Sequence, residues 1–499
     1  MSAILFRTDG SASIGTGHVM RCLALAQACG DSGHTPIFLG ANLSEALVKR
    51  IKGERIDVRT LKSSPYGKED QQETIAAAQS LNAMIVVVDG YDFDARYQTA
   101  LKDADLTVLF VDDYSHAASY DAQFVLNQNP YAKESMYTKR SGDTTLLLGS
   151  KFCLLRREFH NFRSNREIKT KHPLKILLTF GGADPQNATG KVLQALQGLD
   201  EPIEAMVIVG GSNPHRPALE SAIKSSAFPA YMIVDTTEMP RLMAEADLAL
   251  CAGGSSCYEL AYMQLPMLTV VLAKNQKPVA KSLEEHGCSV NLGDLKDLKS
   301  EHVVDAVSAL IKNIRKRENM SRACCTLVDG EGVDRVLMNL AGSRVRLRNA
   351  QMDDARMLWE WANDPETRQA SFTSEEIPWE THKGWFENLM KDLKHKFWIA
   401  IGVDDVPVGS IRFALDKADA TLSISTAPDH RGKGLGAEMV KAATQKLFAT
   451  TDAKIIHAYV KPENEASKRL FFKTGFFEET SVKMKENLAL HYTLKNPNP

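Results

Sequence analysis

The sequence is short of most features that announce a class. Its eight cysteines, Cys22, Cys29, Cys153, Cys251, Cys257, Cys288, Cys324 and Cys325, form no Cys-x-x-Cys pair and no Cys/His cluster at zinc spacing. That argues against a zinc ribbon or a disulfide framework and for reduced, mostly buried thiols. No sign of charge dominates: Lys and Arg total 60 against 62 Asp and Glu, a net of −2. Nothing global therefore favours nucleic acid or an anionic membrane, and an anionic ligand has to be met by a local site. No apolar run approaches membrane-spanning length, and the opening Met-Ser-Ala-Ile-Leu-Phe-Arg-Thr-Asp has no signal-peptide core. A soluble cytoplasmic protein is expected, with neither a membrane nor a nucleic-acid partner. No internal repeat or low-complexity segment is present, and no residues fall at convincing divalent-metal spacing, so no metal is expected.

What is present is length and alternation. A chain of 499 residues exceeds one ordinary domain, and usual domain sizes predict roughly three. Over residues 1–155 short apolar runs alternate with helical patterns. Ile4-Leu5-Phe6 with Arg7 reads as a short buried strand. The runs Met84–Asp89 and Val108–Asp112 both end in carboxylates, as strands of a parallel sheet often do where they reach a cleft. Gly90 and Tyr91 follow the first of these, which places a tyrosine where open α/β sheets put ligands. A polar, basic stretch, Arg156 to Pro173, predicts a linker or exposed connecting segment. The alternation restarts at Leu174–Phe180, followed by Gly181-Gly182, with further strands predicted at Ala205–Val209, Asp247–Cys251 and Met267–Leu272. Near Arg344 the character changes: Trp359, Trp361, Trp379, Trp385 and Trp398 are all in the last third. Phe397–Val403, Asp404-Asp405 and Val406–Phe413 there predict a β-hairpin. The expected organisation is two parallel α/β domains, 1–155 and 156–340, and a separately folded module, 344–499.

Two glycine turns carry candidate chemistry. Ile14-Gly15-Thr16-Gly17-His18-Val19-Met20-Arg21-Cys22 joins the first strand to a helical pattern. It puts an imidazole beside unpaired backbone N–H donors. A phosphate-binding turn and an ordinary βα turn with a satisfied histidine both fit this stretch. Cys251-Ala252-Gly253-Gly254-Ser255-Ser256-Cys257-Tyr258-Glu259-Leu260 is more informative. A strand runs into two glycines and two serines, and a helix then begins with Glu259 about one turn inside. Small residues let backbone approach a diphosphate, serine hydroxyls and helix N–H groups bind its oxygens, and a carboxylate one turn on accepts ribose hydroxyls. Helix-capping serines are the plainer reading.

Taken in order, Ile14–Cys22, Val88-Asp89-Gly90-Tyr91, Thr179-Phe180-Gly181-Gly182, Gly253-Gly254-Ser255-Ser256-x-x-Glu259 and Asn275-Gln276 resemble the UDP-sugar hydrolases of pseudaminic acid biosynthesis. That family is similar to the two-domain GT-B glycosyltransferases, so the resemblance implies two Rossmann-like domains. It implies inverting hydrolysis of UDP-2,4-diacetamido-2,4,6-trideoxy-β-L-altropyranose to free sugar and UDP. His18 would be the base that activates water, Tyr91 and Asn275 would hold the sugar or the water, and Gly182, Gly254, Ser255, Ser256 and Glu259 would hold UDP.

The clearest single motif is Arg431-Gly432-Lys433-Gly434-Leu435-Gly436, between a predicted strand, Thr421–Thr426, and a helical pattern with Leu435, Met439, Val440, Ala443 and Leu447 on one face. Successive N–H groups at a helix start suit a pyrophosphate. Val460-Lys461-Pro462-Glu463-Asn464 then ends a strand, Ala466–Phe472 is helical, and Gly475-Phe476 closes it. Together these resemble the GCN5-related N-acetyltransferases, which use acetyl-CoA. The resemblance implies an α+β domain, with Arg431, Gly432, Lys433, Gly434, Leu435 and Gly436 on the CoA pyrophosphate. The strand 421–426 would splay to admit pantetheine, and Asn464 would bind the cofactor arm. Many members carry a tyrosine seven residues after that asparagine to protonate the departing thiolate; Phe471 stands there. Either a neighbour such as Tyr459 or solvent supplies the proton. The strand 421–426 also contains no acid to serve as base, Asp416 and Asp419 being upstream. Trp359-Glu360-Trp361-Ala362-Asn363-Asp364 and Trp379-x-x-His382-x-x-Trp385 resemble acceptor-side segments of the acetyltransferase in the same pathway.

The combined expectation is a bifunctional enzyme that N4-acetylates UDP-4-amino-4,6-dideoxy-N-acetyl-β-L-altrosamine and then hydrolyses the product. A GT-B glycosyltransferase, or a non-catalytic protein that binds a nucleotide sugar or acetyl-CoA, are the alternatives.

Overall fold

The computed structural model describes residues 3–11, 14–163, 166–170, 173–484 and 487–497. The chain divides into two compact units, residues 1–29 with 34–336 and residues 30–33 with 337–499.

The first unit contains two parallel sheets. Strands Ala3–Thr8 (β1), Thr35–Gly40 (β2), Asp57–Thr60 (β3), Ala83–Asp89 (β4), Thr107–Val111 (β5), Phe124–Asn127 (β6) and Thr145–Leu148 (β7) run in the order β3-β2-β1-β4-β5-β6-β7. Their central members are apolar along their length because helices cover both faces. Leu5, Val86, Val88, Val108 and Phe110, for example, are buried with Tyr97 and Leu101 of the helix Ala95–Asp103. Strand order reverses about β1, which has β2 on one side and β4 on the other, so a crevice opens beyond their carboxyl ends. The Gly15–Gly17 loop and Asp89 are both there.

The second sheet repeats the plan. Leu174–Thr179 (β8), Ile203–Val209 (β9), Ala230–Val234 (β10), Leu248–Ala252 (β11), Met267–Val271 (β12) and Ser289–Asp294 (β13) run in the order β10-β9-β8-β11-β12-β13. Its order reverses between β8 and β11, the two strands followed by Gly181-Gly182 and Gly253-Gly254. Leu177, Met206 and Cys251 pack on one face, Ile176, Leu178, Val207 and Leu250 on the other.

The stretch expected to be a linker or exposed connecting segment is largely exposed, as expected, but where it is described its arginines tie it down. Arg156 is 7% exposed, and Phe159 beneath its guanidinium is fully buried. Arg156 pairs with Glu158 and Glu259 at 2.9 Å each, and Arg166 donates to the carbonyls of Met243, Ala246 and Met263. Its basic residues are thus cross-links between segments of the unit, a use that composition does not distinguish from solvation. Ser164, Asn165, Lys171 and His172 of this stretch are outside the described residues.

The second unit is built on a mixed sheet of Val345–Asn349 (β14), His395–Gly402 (β15), Pro407–Asp416 (β16), Asp419–Thr426 (β17), Ile455–Val460 (β18), Phe477–Glu478 (β19), Val482–Met484 (β20) and Asn487–Lys495 (β21). The order is β14-β15-β16-β17-β18-β21-β19, with β20 on β21. β15 and β16 form the expected hairpin. The helix Leu435–Thr450 seats Met439, Val440, Ala443 and Leu447 against Ile411, Phe413, Ile456 and Ala458. β17 and β18 are parallel neighbours only from Asp419↔Ile455 to Thr421↔His457. Beyond that point Leu422–Thr426 and Ala458–Val460 run on without pairing to each other. Among the described residues no helix is long and apolar enough to cross a membrane.

Candidate functional site

In the first unit the crevices of the two sheets meet in one cavity of about 230 Å³, lined by Gly17, His18, Arg21, Tyr91, Asp113 and Asn129 from the first sheet and Gly253, Gly254, Ser255, Tyr258, Asn275 and Gln276 from the second. The loop after β1 turns on Gly15, whose φ of +89° lies in the region glycine favours. The helix Gly17–Asp31 then begins, so that His18 and Arg21, three apart, share a face. That face meets the end of β4. His18 Nδ1 is 2.7 Å from Asp89 Oδ1, while Arg21 donates to both oxygens of Asp89, Nε at 2.6 Å and Nη2 at 2.7 Å. Because a carboxylate only accepts, the contact with Asp89 requires a proton on His18 Nδ1, and in the neutral ring that tautomer has its lone pair on Nε2.

A second arm extends from Arg21. Its Nη1 donates to Asp113 at 2.7 Å, Tyr91 donates to the other oxygen of Asp113 at 2.7 Å, and Asn275 Nδ2 donates to the Tyr91 hydroxyl at 3.2 Å. The Tyr91 ring meets His18 edge-on with centroids 4.6 Å apart. Tyr258 donates to Asn129 at 2.5 Å, and Asn129 to Asp113 at 3.1 Å. The pairs Asn275–Tyr91 and Tyr258–Asn129 therefore both tie the second sheet to Asp113 of the first. Burial pushes the Asp89 carboxyl up, but Arg21 and then His18 outweigh it and hold it well below the usual carboxylate range. Asp113 is likewise lowered, burial being opposed by Arg21 and Tyr91. Burial and then Asp113 push the Tyr91 hydroxyl far up, so it stays a phenol.

His18, Tyr91, Asn275, Gly254 and Ser255 come together at this cavity, whereas Gly182, Ser256 and Glu259 are not among its lining residues. Glu259 Oε1 accepts from Arg156 Nε and Nη2 at 3.2 and 2.9 Å. Arg21, Asp89, Asp113 and Asn129 are the partners that motif reading did not assign. The carboxylate ending β4 was visible as such, but of the neighbouring pair after β5 the other member is the one at the site. Asp112 is spent on the backbone N–H groups of Tyr114 and Ser115 and on Tyr120. Asp94, in the Asp92-Phe93-Asp94 stretch, caps a helix through Tyr97 N at 2.9 Å. Among the described residues no group of three or more His, Cys, Asp or Glu side chains is placed to hold a metal ion.

In the second unit, Arg431–Gly436 follows β17 through one short turn. Gly432 and Gly434 have φ of +73° and +78°, and Gly434 caps the helix Leu435–Thr450. An N–H-rich turn at a helix start is thereby built at the open end of the gap between β17 and β18. Arg431 does not extend freely from it: its guanidinium pairs with Asp364 and Glu366 and bonds Thr367. Lys433 is exposed, Leu435 is buried in the core, and a Cβ on Gly436 would meet Leu470 and Thr426 at ordinary contact distance. Asn464 Oδ1 accepts from Ser467 N at 3.0 Å and caps the helix Glu465–Lys473. Phe471 is packed on Phe476 and Tyr492, facing the core.

Residues 344–477 match the acetyltransferase (GNAT) domain family, and residues 176–334 match the glycosyltransferase family 28 C-terminal domain. The UDP-2,4-diacetamido-2,4,6-trideoxy-beta-L-altropyranose hydrolase of Campylobacter jejuni is 24% identical over 290 residues, 58% of this chain and 98% of its own. The chain joins a part homologous to that hydrolase to a part similar to GNAT acetyltransferases. An uncharacterized protein of Methanocaldococcus jannaschii, MJ1062, is 23% identical over 483 residues, 94% of this chain and 95% of its own, so both parts are matched within one relative. The crystal structure of Acinetobacter baumannii MurG superposes on 68% of this chain and all of its own, with TM-score 0.51 and 15% identity. The hydrolase-like part thus has two Rossmann-like sheets in the GT-B plan, and the GNAT-like part follows it on its own mixed sheet.

Proposed function

We propose that the protein catalyses two consecutive steps on a UDP-amino sugar: acetyl-CoA-dependent N4-acetylation of UDP-4-amino-4,6-dideoxy-N-acetyl-β-L-altrosamine, then inverting hydrolysis of UDP-2,4-diacetamido-2,4,6-trideoxy-β-L-altropyranose to free sugar and UDP. Residues 1–155 and 156–340 form the two halves of the hydrolase, residues 344–499 the acetyltransferase, and both work in the cytoplasm. The observation that carries the hydrolytic reading is the His18–Asp89 pair at the wall of the cavity that Tyr91 and Asn275 also line.

In the hydrolytic step His18 Nε2 takes a proton from water as its oxygen forms the bond to the anomeric carbon, and the bond from that carbon to the UDP oxygen breaks. Attack from the face opposite UDP inverts the centre. Asp89 fixes the Nδ1–H tautomer and stabilises the imidazolium that forms, and Arg21 fixes Asp89. Tyr91 and Asn275 orient the sugar or the water. Gly254, Ser255 and Ser256 offer backbone and hydroxyl donors to the departing diphosphate, with Gly182 and Glu259 around the nucleoside. In the acetyl-transfer step the turn Arg431, Gly432, Lys433, Gly434, Leu435 and Gly436 offers N–H groups to the CoA pyrophosphate. The parting of β17 from β18 supports a thioester arm lying between them, with Asn464 at its edge.

The direct test is to supply the diacetamido UDP-sugar alone. A hydrolase releases UDP and free sugar stoichiometrically, with inverted anomeric configuration in early NMR spectra. A glycosyltransferase, the reading favoured by the family 28 match, releases UDP slowly until an acceptor is added. A non-catalytic binding protein gives saturable binding and no UDP.

A further inference from the structure

The second unit has no acid on β17 beyond Asp419 and an aromatic core residue, Phe471, in place of a tyrosine. Its acceptor-side proton chemistry needs another source. Along β18 Ile456, Ala458 and Val460 face the core under the helix Leu435–Thr450, so His457 and Tyr459 alternate onto the opposite face. On β21, His491 is the partner of Tyr459 in the ladder. His457 Nδ1 lies 2.9 Å from His491 Nε2, the two rings stack with centroids 5.2 Å apart, and the Tyr459 ring stacks on His491 at 4.9 Å. His457 is also the last residue of β18 paired to β17. It therefore stands at the closed end of the gap whose open end carries the glycine turn.

We propose that His457 and His491 form the proton relay that deprotonates the amine acceptor, with His457 Nε2 as the receiving atom. This rests on the acetyl-transfer reading above. The acceptor's ammonium group gives one proton to His457 Nε2 as the Nδ1 proton passes to His491 Nε2 and the His491 Nδ1 proton leaves to water. The freed nitrogen lone pair forms the C–N bond to the thioester carbonyl carbon. Collapse breaks the C–S bond, and the excess proton on nitrogen passes to sulfur, so CoA leaves as the thiol and no oxidant or reductant is consumed. The groups facing the pair fit this role. Asp419 Oδ2 on β17 lies 3.8 Å from His457 Nε2, beyond hydrogen-bond distance, so it leaves that nitrogen unheld. Glu479 acts on His491 from beyond β21, while burial and then the charge of His457 lower the His491 pKa. Two adjacent imidazoles cannot both hold a charge readily, so a proton arriving at one is passed on.

The test uses the full-length protein, acetyl-CoA and UDP-4-amino-4,6-dideoxy-N-acetyl-β-L-altrosamine, with CoA thiol release followed between about pH 5 and 9. His457→Gln is expected to lower kcat by about a hundredfold, with KM for acetyl-CoA unchanged and the acid limb of the pH profile lost. His491→Gln is expected to displace that limb. In His457→Ala, added imidazole is expected to restore part of the rate. If wild type turns over while His457→Gln keeps both kcat and the acid limb, the relay is overturned and the acetyl-transfer reading stands. If wild type releases no thiol with this acceptor, that reading falls and the relay with it.

Discussion

The hydrogen bond between His18 Nδ1 and Asp89 decides which ring nitrogen can take a proton. Asparagine at position 89 can turn its amide N–H toward Nδ1 and select the wrong tautomer. Asp89→Asn is therefore expected to slow UDP release by about 10²- to 10⁴-fold, read as kcat on the diacetamido UDP-sugar. It also leaves Arg21 buried with less opposing charge, and breaking a buried pair costs about 3–5 kcal/mol, measurable as a lower urea midpoint. A variant with wild-type midpoint and rate would contradict both. The same carboxylates set an acid limit. Asp89 and Asp113 have folded pKa values depressed below the unfolded ones, so their stabilisation is present above the ordinary carboxylate range and lost as pH falls through it toward the folded values. Urea midpoints are expected to be level near neutrality and to drop below about pH 4, with a smaller drop in Asp113→Asn.

At the scale of elements, the glycine turn before the helix Leu435–Thr450 can be tested without disturbing packing. Gly432 has φ +73°, and an added Cβ would meet nothing within 4 Å, so Gly432→Ala acts through backbone conformation alone. Forcing a non-glycine residue into that region costs about 1–2 kcal/mol. The expected result is a rise in KM for acetyl-CoA of about fivefold to thirtyfold at most, with UDP release from the diacetamido sugar unchanged. Such turns were legible because a strand, a glycine loop and a helix announce themselves by period and composition. β4 and β8 were legible for the same reason, as apolar runs ended by a carboxylate or by glycines. β3 and β10 were not, since edge strands that are half-buried or exposed lack a continuous apolar run. Nor could spacing show that Asp113 rather than Asp112 reaches the cavity, because adjacent residues beyond a strand end are placed by loop geometry. Arg156 read as a solvated linker residue because its partner, Glu259, is remote in sequence.

For the whole molecule, the two steps proposed above are assigned to two compact units and are expected to be separable by point substitution. His18→Ala is expected to retain acetyl transfer and accumulate the diacetamido UDP-sugar. Adding Gly432→Ala protein, whose hydrolytic cavity is intact, should then release UDP from that pool. Failure of this complementation would mean that the intermediate does not pass through bulk solution to the second site. The most direct measurement follows wild type and His18→Ala by NMR and mass after supplying UDP-4-amino-4,6-dideoxy-N-acetyl-β-L-altrosamine and acetyl-CoA. Wild type is expected to yield CoA, UDP and the free diacetamido sugar, and His18→Ala to stop at the acetylated UDP-sugar. UDP release by His18→Ala at the wild-type rate would contradict the role given to this histidine, and absence of acetylation in wild type would contradict the two-step reaction itself.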